Sequence, residues 1–258
     1  MPFTTIEVTA AGARGEITLN RPDKLNPLGT ETLQELADAA RWLDQRPEVK
    51  VVMVSGRGRA FSSGADVSVF AGADPGVAAR REAADAGRLM AEAVESMRAV
   101  TVARIHGHCV GGGVVLAAAC DLRVAADTTR FSIPEVDLGI PLAWGGIPRL
   151  VREIGPAMTK ELVLTCRPFT AAEARELGFV NRVVGEEALE EAAEQLAAEL
   201  LAKSSLTLTA TKRGVNAASR AMVSTSAAWS DADTLLTALS DPESRSAARD
   251  YLERLSRR

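Results

Sequence analysis

Aromatic side chains are scarce in this chain: one tyrosine, three tryptophans and six phenylalanines among 258 residues. The core must therefore be aliphatic, rich in alanine, valine and leucine. Cysteine is also rare. Cys109, Cys120 and Cys166 are an odd number without metal-ligand spacing, and each lies beside apolar residues. That excludes a disulfide framework and predicts buried, reduced thiols, as in a reducing cytoplasm. Neither sign of charge dominates. A net charge of −4 gives no basis for wholesale attraction to nucleic acid or to a membrane surface. The first residues lack a basic stretch followed by an apolar run, so no secretory signal is expected. The longest apolar stretch, Val110 to Cys120, is too short to span a bilayer and carries three glycines. Three motifs are missing as well: the Gly-x-Ser-x-Gly elbow of a hydrolase triad, the phosphate loop and the dinucleotide fingerprint.

What is present is ordinary for a soluble globular protein: 47% hydrophobic and 25% charged residues, in a chain long enough for one or two domains. Ile6 to Val8 and Ala13 to Leu19 alternate apolar and polar residues and predict two antiparallel strands joined by a glycine turn. Thr30 is placed to cap a helix whose apolar positions are Leu33, Leu36, Ala40 and Leu43, and Pro47 bars its continuation. Val51 to Ser55 and Val100 to Ile105 read as strands buried on both faces, and Leu122 to Ala125 as another strand. Between them, Ala86, Leu89, Met90, Ala93, Val94 and Met97 mark one face of a long helix. Beyond Gly185 the pattern is helical almost throughout, including stretches over 206–221 and 240–255. The reading is therefore an α/β core over residues 1–185 and a C-terminal helical region over 186–258. Helices at the end of a core need a packing partner, which a second subunit could supply.

Three segments carry chemistry. Gly111-Gly112-Gly113 follows a strand and opens a helix, where the first amides lack intrahelical acceptors and the helix dipole favours negative charge. Such a turn holds an anion or a developing oxyanion, or else only lets helix and strand pack closely. Phe61-Ser-Ser-Gly-Ala-Asp66 follows a buried strand, and its glycine turn can aim the Ala65 amide at a crevice, or is one of the many strand–turn–helix joints of the same look; Asp66 is read as a cap for the next turn. Pro134-Glu135, in an otherwise apolar run, suggests a fixed carboxylate. Burial would raise its pKa into the range of a general acid/base; the plainer alternative is a strand-edge glutamate paired with an arginine. Asp137 is read as structural. His106 and His108 share a face if extended, but no third metal ligand accompanies them, so polar contacts near a cleft are expected and no metal site.

Together these segments resemble the enoyl-CoA hydratase/isomerase (crotonase) superfamily. The similarity begins at Ile17 to Asn26, continues through Ala60 to Asp66, Gly107 to Asp121 and Phe131 to Leu150, and ends over Pro168 to Val183. It implies an α/β fold, a spiral of ββα units with a C-terminal helical region that trimerises, as a homotrimer or homohexamer. It implies an acyl-CoA thioester substrate from fatty-acid metabolism, with no metal or redox cofactor. By position, the amides of Ala65 and Gly112 would hold the thioester oxygen. The same correspondence counts Leu25, Ser63, Asp66, Val67, Gly111, Val115, Pro134 and Leu142 among the substrate-binding residues, with CoA near Leu25 and Ser63 and the acyl chain towards the 86–97 helix. Two-glutamate hydratases carry one catalytic glutamate at the position of Val115 and the other at Glu135. Here only Glu135 is kept, as in Δ3,Δ2-enoyl-CoA isomerases. The extra aspartate of dienoyl-CoA isomerases would fall at Ala143. The resemblance therefore favours isomerisation with Glu135 as proton shuttle. A one-glutamate enoyl-CoA hydratase and a non-catalytic acyl-CoA-binding protein are the alternatives. RNA binding, found in an outlying branch, finds no support in an acidic chain without a basic helix.

Overall fold

Alternation of apolar and polar residues decides the first hairpin. In the computed structural model, which describes residues 3–66 and 76–256, β1 (Ile6–Ala11) and β2 (Arg14–Leu19) pair antiparallel, with Ile6 opposite Leu19. Gly12, at φ +56°, makes the turn. Four strands then add in parallel, β3 (Val51–Gly56), β4 (Val100–Ile105), β6 (Leu122–Ala126) and β9 (Arg182–Val184), in the order β1-β2-β3-β4-β6-β9. β3 is buried along its whole length because both of its faces are covered. Val52 and Val54 face a core shared with α1 (Thr30–Asp44), α2 (Val77–Ser96) and α3 (Gly112–Ala119). Val51 and Met53 face the opposite way, onto Leu189, Ala193 and Leu196 of α6 (Leu189–Leu201). α6 follows residue 185 in the chain yet packs as one layer of the sheet.

A second sheet is built from very short strands, β5 (His108–Val110), β7 (Arg130–Ser132) and β8 (Phe169–Thr170). Phe131 anchors it, stacked on Phe169 at 5.3 Å and edge-on to Phe179 at 5.9 Å. Two windings share one plan. In β4–β5–α3 and in β6–β7–α4 (α4 being Gly146–Thr165), the first strand joins the large sheet, the second joins the small one, and a helix follows. α4 is interrupted at Gly155, at φ 74°, just before Pro156. α5 (Ala171–Glu176) is capped by Thr170, whose hydroxyl accepts from the Glu173 amide at 3.1 Å.

The C-terminal region holds α7 (Ser205–Met222), α8 (Asp231–Ser240) and α9 (Pro242–Ser256). α8 was not read from the sequence. The Thr30 cap is corrected: Gly29, extended, is the capping residue and Thr30 begins the helix, with no side-chain cap hydrogen bond. Cys109 and Cys120 are buried free thiols, whereas Cys166 is only half-buried. Among the described residues no helix is long and apolar enough to cross a membrane.

Candidate active site

Pro134 closes the extended segment after β7 and starts a turn over Glu135 to Gly139, in which the Ile140 amide donates to the Glu135 carbonyl at 2.9 Å. The turn separates the two acids of this segment. Glu135 points inward and is 7% exposed, while Asp137 is exposed and donates its amide to the Cys166 sulfur at 3.3 Å. Among the described residues the Glu135 carboxyl has no partner for Oε2 and no neighbouring cation. Loss of hydration therefore acts unopposed by any cation and pushes its pKa from 4.5 to about 7. The carboxyl lies against Gly111: a side chain there would begin 3.0 Å from the Glu135 Cδ and collide with Oε1. Gly111, at φ 47°, is thus required both by its backbone conformation and by its neighbour.

The two amide segments meet through a single parallel bridge. Ser62 donates its amide to the His108 carbonyl at 3.0 Å, and Val110 donates back to the Ser62 carbonyl at 3.0 Å. Gly64, at φ +88°, then crosses the β5–α3 junction so closely that a side chain on it would begin 3.5 Å from the Gly112 nitrogen. Covalent geometry places the Ala65 nitrogen within about 7 Å of the Gly112 nitrogen. Among the described residues neither amide is spent locally. Gly112 is the first residue of α3. Ala65 pairs with Leu28 in a parallel bridge that uses the Gly64 carbonyl and the Asp66 amide, which leaves the Ala65 N–H directed away from Leu28. A free amide at a helix start, a second amide close by and a buried acid beside them can stabilise an oxyanion while a proton is moved.

Around this centre, Val115 is fully buried, and Leu142 is 5% exposed. The two are packed together at Gly146, where a side chain would begin 2.9 Å from Val115 Cγ2 and 3.0 Å from Leu142 Cγ. The Leu25 carbonyl accepts from the Ser63 amide at 2.8 Å, which brings these two residues together beside the Ala65 turn. Asp66 is ion-paired with Arg21 at 3.2 Å. Val67 lies outside the described residues. His106 hydrogen-bonds the Gly58 carbonyl at 2.7 Å, and His108 is exposed. Among the described residues no three His, Cys, Asp or Glu side chains gather as a metal-ligand set. The sequence reading passed over Trp144, whose indole covers Gly112; its one signal was a scarce aromatic directly before Gly145-Gly146.

The sequence model of the enoyl-CoA hydratase/isomerase family matches residues 10–258. The chain belongs to this family. A probable enoyl-CoA hydratase of Mycobacterium bovis is 40% identical over 185 residues, which are 71% of this chain and 70% of the relative. A peroxisomal Delta(3,5)-Delta(2,4)-dienoyl-CoA isomerase of Arabidopsis thaliana is 35% identical over 224 residues, 81% of each. The solved structure of an enoyl-CoA hydratase from Mycobacterium avium subsp. paratuberculosis matches with a TM-score of 0.88 at 28% identity, covering 96% of this chain and 99% of that one. Membership of the enoyl-CoA hydratase/isomerase family makes the protein an enzyme and implies an acyl-CoA substrate.

Proposed function

We propose that the enzyme moves the double bond of a 3-enoyl-CoA to the 2-position. Glu135, as carboxylate, takes a proton from C2. The electrons pass into the thioester carbonyl, whose oxygen is held by the amides of Ala65 and Gly112, and the protonated Glu135 then delivers its proton to C4. One observation carries this reading: among the described residues Glu135 is the buried carboxyl set against the start of α3, and the position that the resemblance gives to a second glutamate holds Val115, buried beside Leu142. A pKa of about 7 suits a group that must both accept and return a proton near neutrality. The reaction needs no metal or redox group, and the acyl-CoA thioester is the only small molecule called for.

Hydration of a 2-enoyl-CoA is the second reading, favoured by the word hydratase in the name of the Mycobacterium bovis relative. It asks one carboxyl both to orient a water and to supply the proton. The dienoyl-CoA isomerase named among the relatives is a weaker guide, because Ala143 supplies no additional acid. Purified protein assayed on matched 3-enoyl- and 2-enoyl-CoA substrates separates the two. Isomerisation is expected to exceed hydration, and kcat/KM for isomerisation to rise with pH through about 7 as Glu135 ionises. Hydration as the faster reaction, or a Glu135→Gln variant that keeps full activity, overturns the proposal.

A further inference from the structure

Trp144 is held in a backbone conformation that bulky residues avoid, the left-handed region at φ 62°. Side chains from three elements keep it there. Asp231 of α8 accepts the Gly145 amide at 2.8 Å. Arg149 of α4 donates to the carbonyls of Trp144 at 3.3 Å and Gly145 at 3.1 Å, and it is itself fixed by Glu95 of α2 at 2.8 Å. The indole set by this brace spans the space between α2 and α3. Both helices give up a side chain to admit it. A side chain on Gly87, within α2, would collide with Cγ, Cδ2 and Cε2 of the indole. A side chain on Gly112, at the start of α3, would begin 2.9 Å from Cη2 and 3.2 Å from Cε3. Glycine inside a helix is unfavourable, so its presence at Gly87 goes with the close approach of the ring.

The six-membered edge of the indole therefore lies on the residue whose free amide faces the reacting carbonyl. An oxygen held by the Gly112 N–H sits about 3 Å from its nitrogen, which puts the attached carbons next to the ring. Acyl carbons continuing from that carbonyl towards α2 would meet the ring, because the indole lies against both Gly112 and Gly87. We infer that Trp144 is the end wall of the acyl pocket and restricts the enzyme to short acyl groups. This rests on the acyl-CoA reading above and adds the size of the substrate.

The test compares wild type with Trp144→Ala and Trp144→Phe, using enoyl-CoA substrates of about four to ten acyl carbons. Wild type is expected to lose at least about tenfold in kcat/KM between the short and the long end, the scale on which a hydrophobic pocket rejects a misfit. Trp144→Ala is expected to remove that discrimination and Trp144→Phe to reduce it; Trp144→Phe carries the test if the alanine variant does not fold. Calorimetric binding of saturated butanoyl-CoA and decanoyl-CoA gives the same comparison without chemistry. A wild-type profile flat with chain length, or variants that keep the wild-type profile, refute the wall while leaving the acyl-CoA reading intact. Failure of wild type to bind or turn over any length refutes both.

Discussion

Glu135 has a measurable cost in stability. Its pKa is about 7 in the folded protein and close to 4.5 when the chain is unfolded. The folded state therefore holds a proton that the unfolded state releases first, and stability falls as pH rises from 4.5 through about 7. Integrated over that interval the loss is about 3 kcal/mol. Glu135→Gln keeps the shape without the charge. Urea unfolding should show the variant matching wild type near pH 4 and exceeding it by up to about 3 kcal/mol at pH 8, while isomerase activity is lost. Val115 makes the complementary case. It is fully buried and in contact with the packing of Leu142. Val115→Glu restores the second carboxyl of a two-glutamate site, but places it in a filled apolar space. The expected result is a lower thermal midpoint, on the order of several kcal/mol of stability, with no gain in hydration. A stable Val115→Glu variant that hydrates 2-enoyl-CoA faster than wild type contradicts this.

Among the elements, the joint between α2, α4 and α7 depends on one carboxylate. Glu95 is buried and accepts from Arg149 at 2.8 Å, Arg152 at 2.6 Å and Arg220 at 3.3 Å. Burial acts to raise its pKa, but the three guanidinium groups outweigh burial and hold it below the ordinary value of 4.5. The stability it contributes is thus present at neutral pH and is lost as pH falls below the usual carboxylate range. Removing its charge leaves Arg149, 2% exposed, without a counter-ion. Glu95→Gln should cost roughly 3–5 kcal/mol, read as a shift in the urea midpoint at pH 7, and should shrink towards pH 3. It should also loosen the Trp144 loop, since Arg149 holds the carbonyls of that loop. Intrinsic fluorescence of a variant retaining Trp144 as its sole tryptophan reports that change.

At the scale of the whole molecule, α7 and the segment after it carry large apolar side chains at the surface. Leu206 is 78% exposed, Val215 61%, Met222 84% and Trp229 60%. Large apolar side chains in such numbers on one stretch of chain favour association over solvation. The expected assembly is a homotrimer or homohexamer in which this stretch meets a second copy. Sedimentation at micromolar concentration should show a species of at least three chains, and charged substitutions at Leu206 and Val215 should shift it towards the monomer. A stable monomer for the unaltered protein rules the assembly out.

How much was legible without the fold follows the range of each signal. Alternation in β1 and β2, the continuous apolar runs of β3 and β4, and the 3.6-residue spacing in α1, α2 and α6 are properties of adjacent residues, so the sequence by itself determined those elements and the order in which they alternate. It also determined that a proline-fixed glutamate and a glycine-rich helix start were present. Strands as short as β5, β7 and β8 have no room for a period; Phe131 of β7 stacks on Phe169 of β8 across their pairing. The Thr30 cap went wrong because Gly29, with no side chain to offer, takes the capping position through its extended backbone alone. What only the tertiary structure decided is proximity. Ala65 reaches Gly112 through the bridge between Ser62 and Cys109, Glu135 is driven against Gly111 by the turn after β7, and Trp144 takes its place because Gly87 and Gly112, on different helices, both lack a side chain. Local periodicity cannot encode such meetings, since they depend on how parallel strands bring distant segments to one end of the sheet.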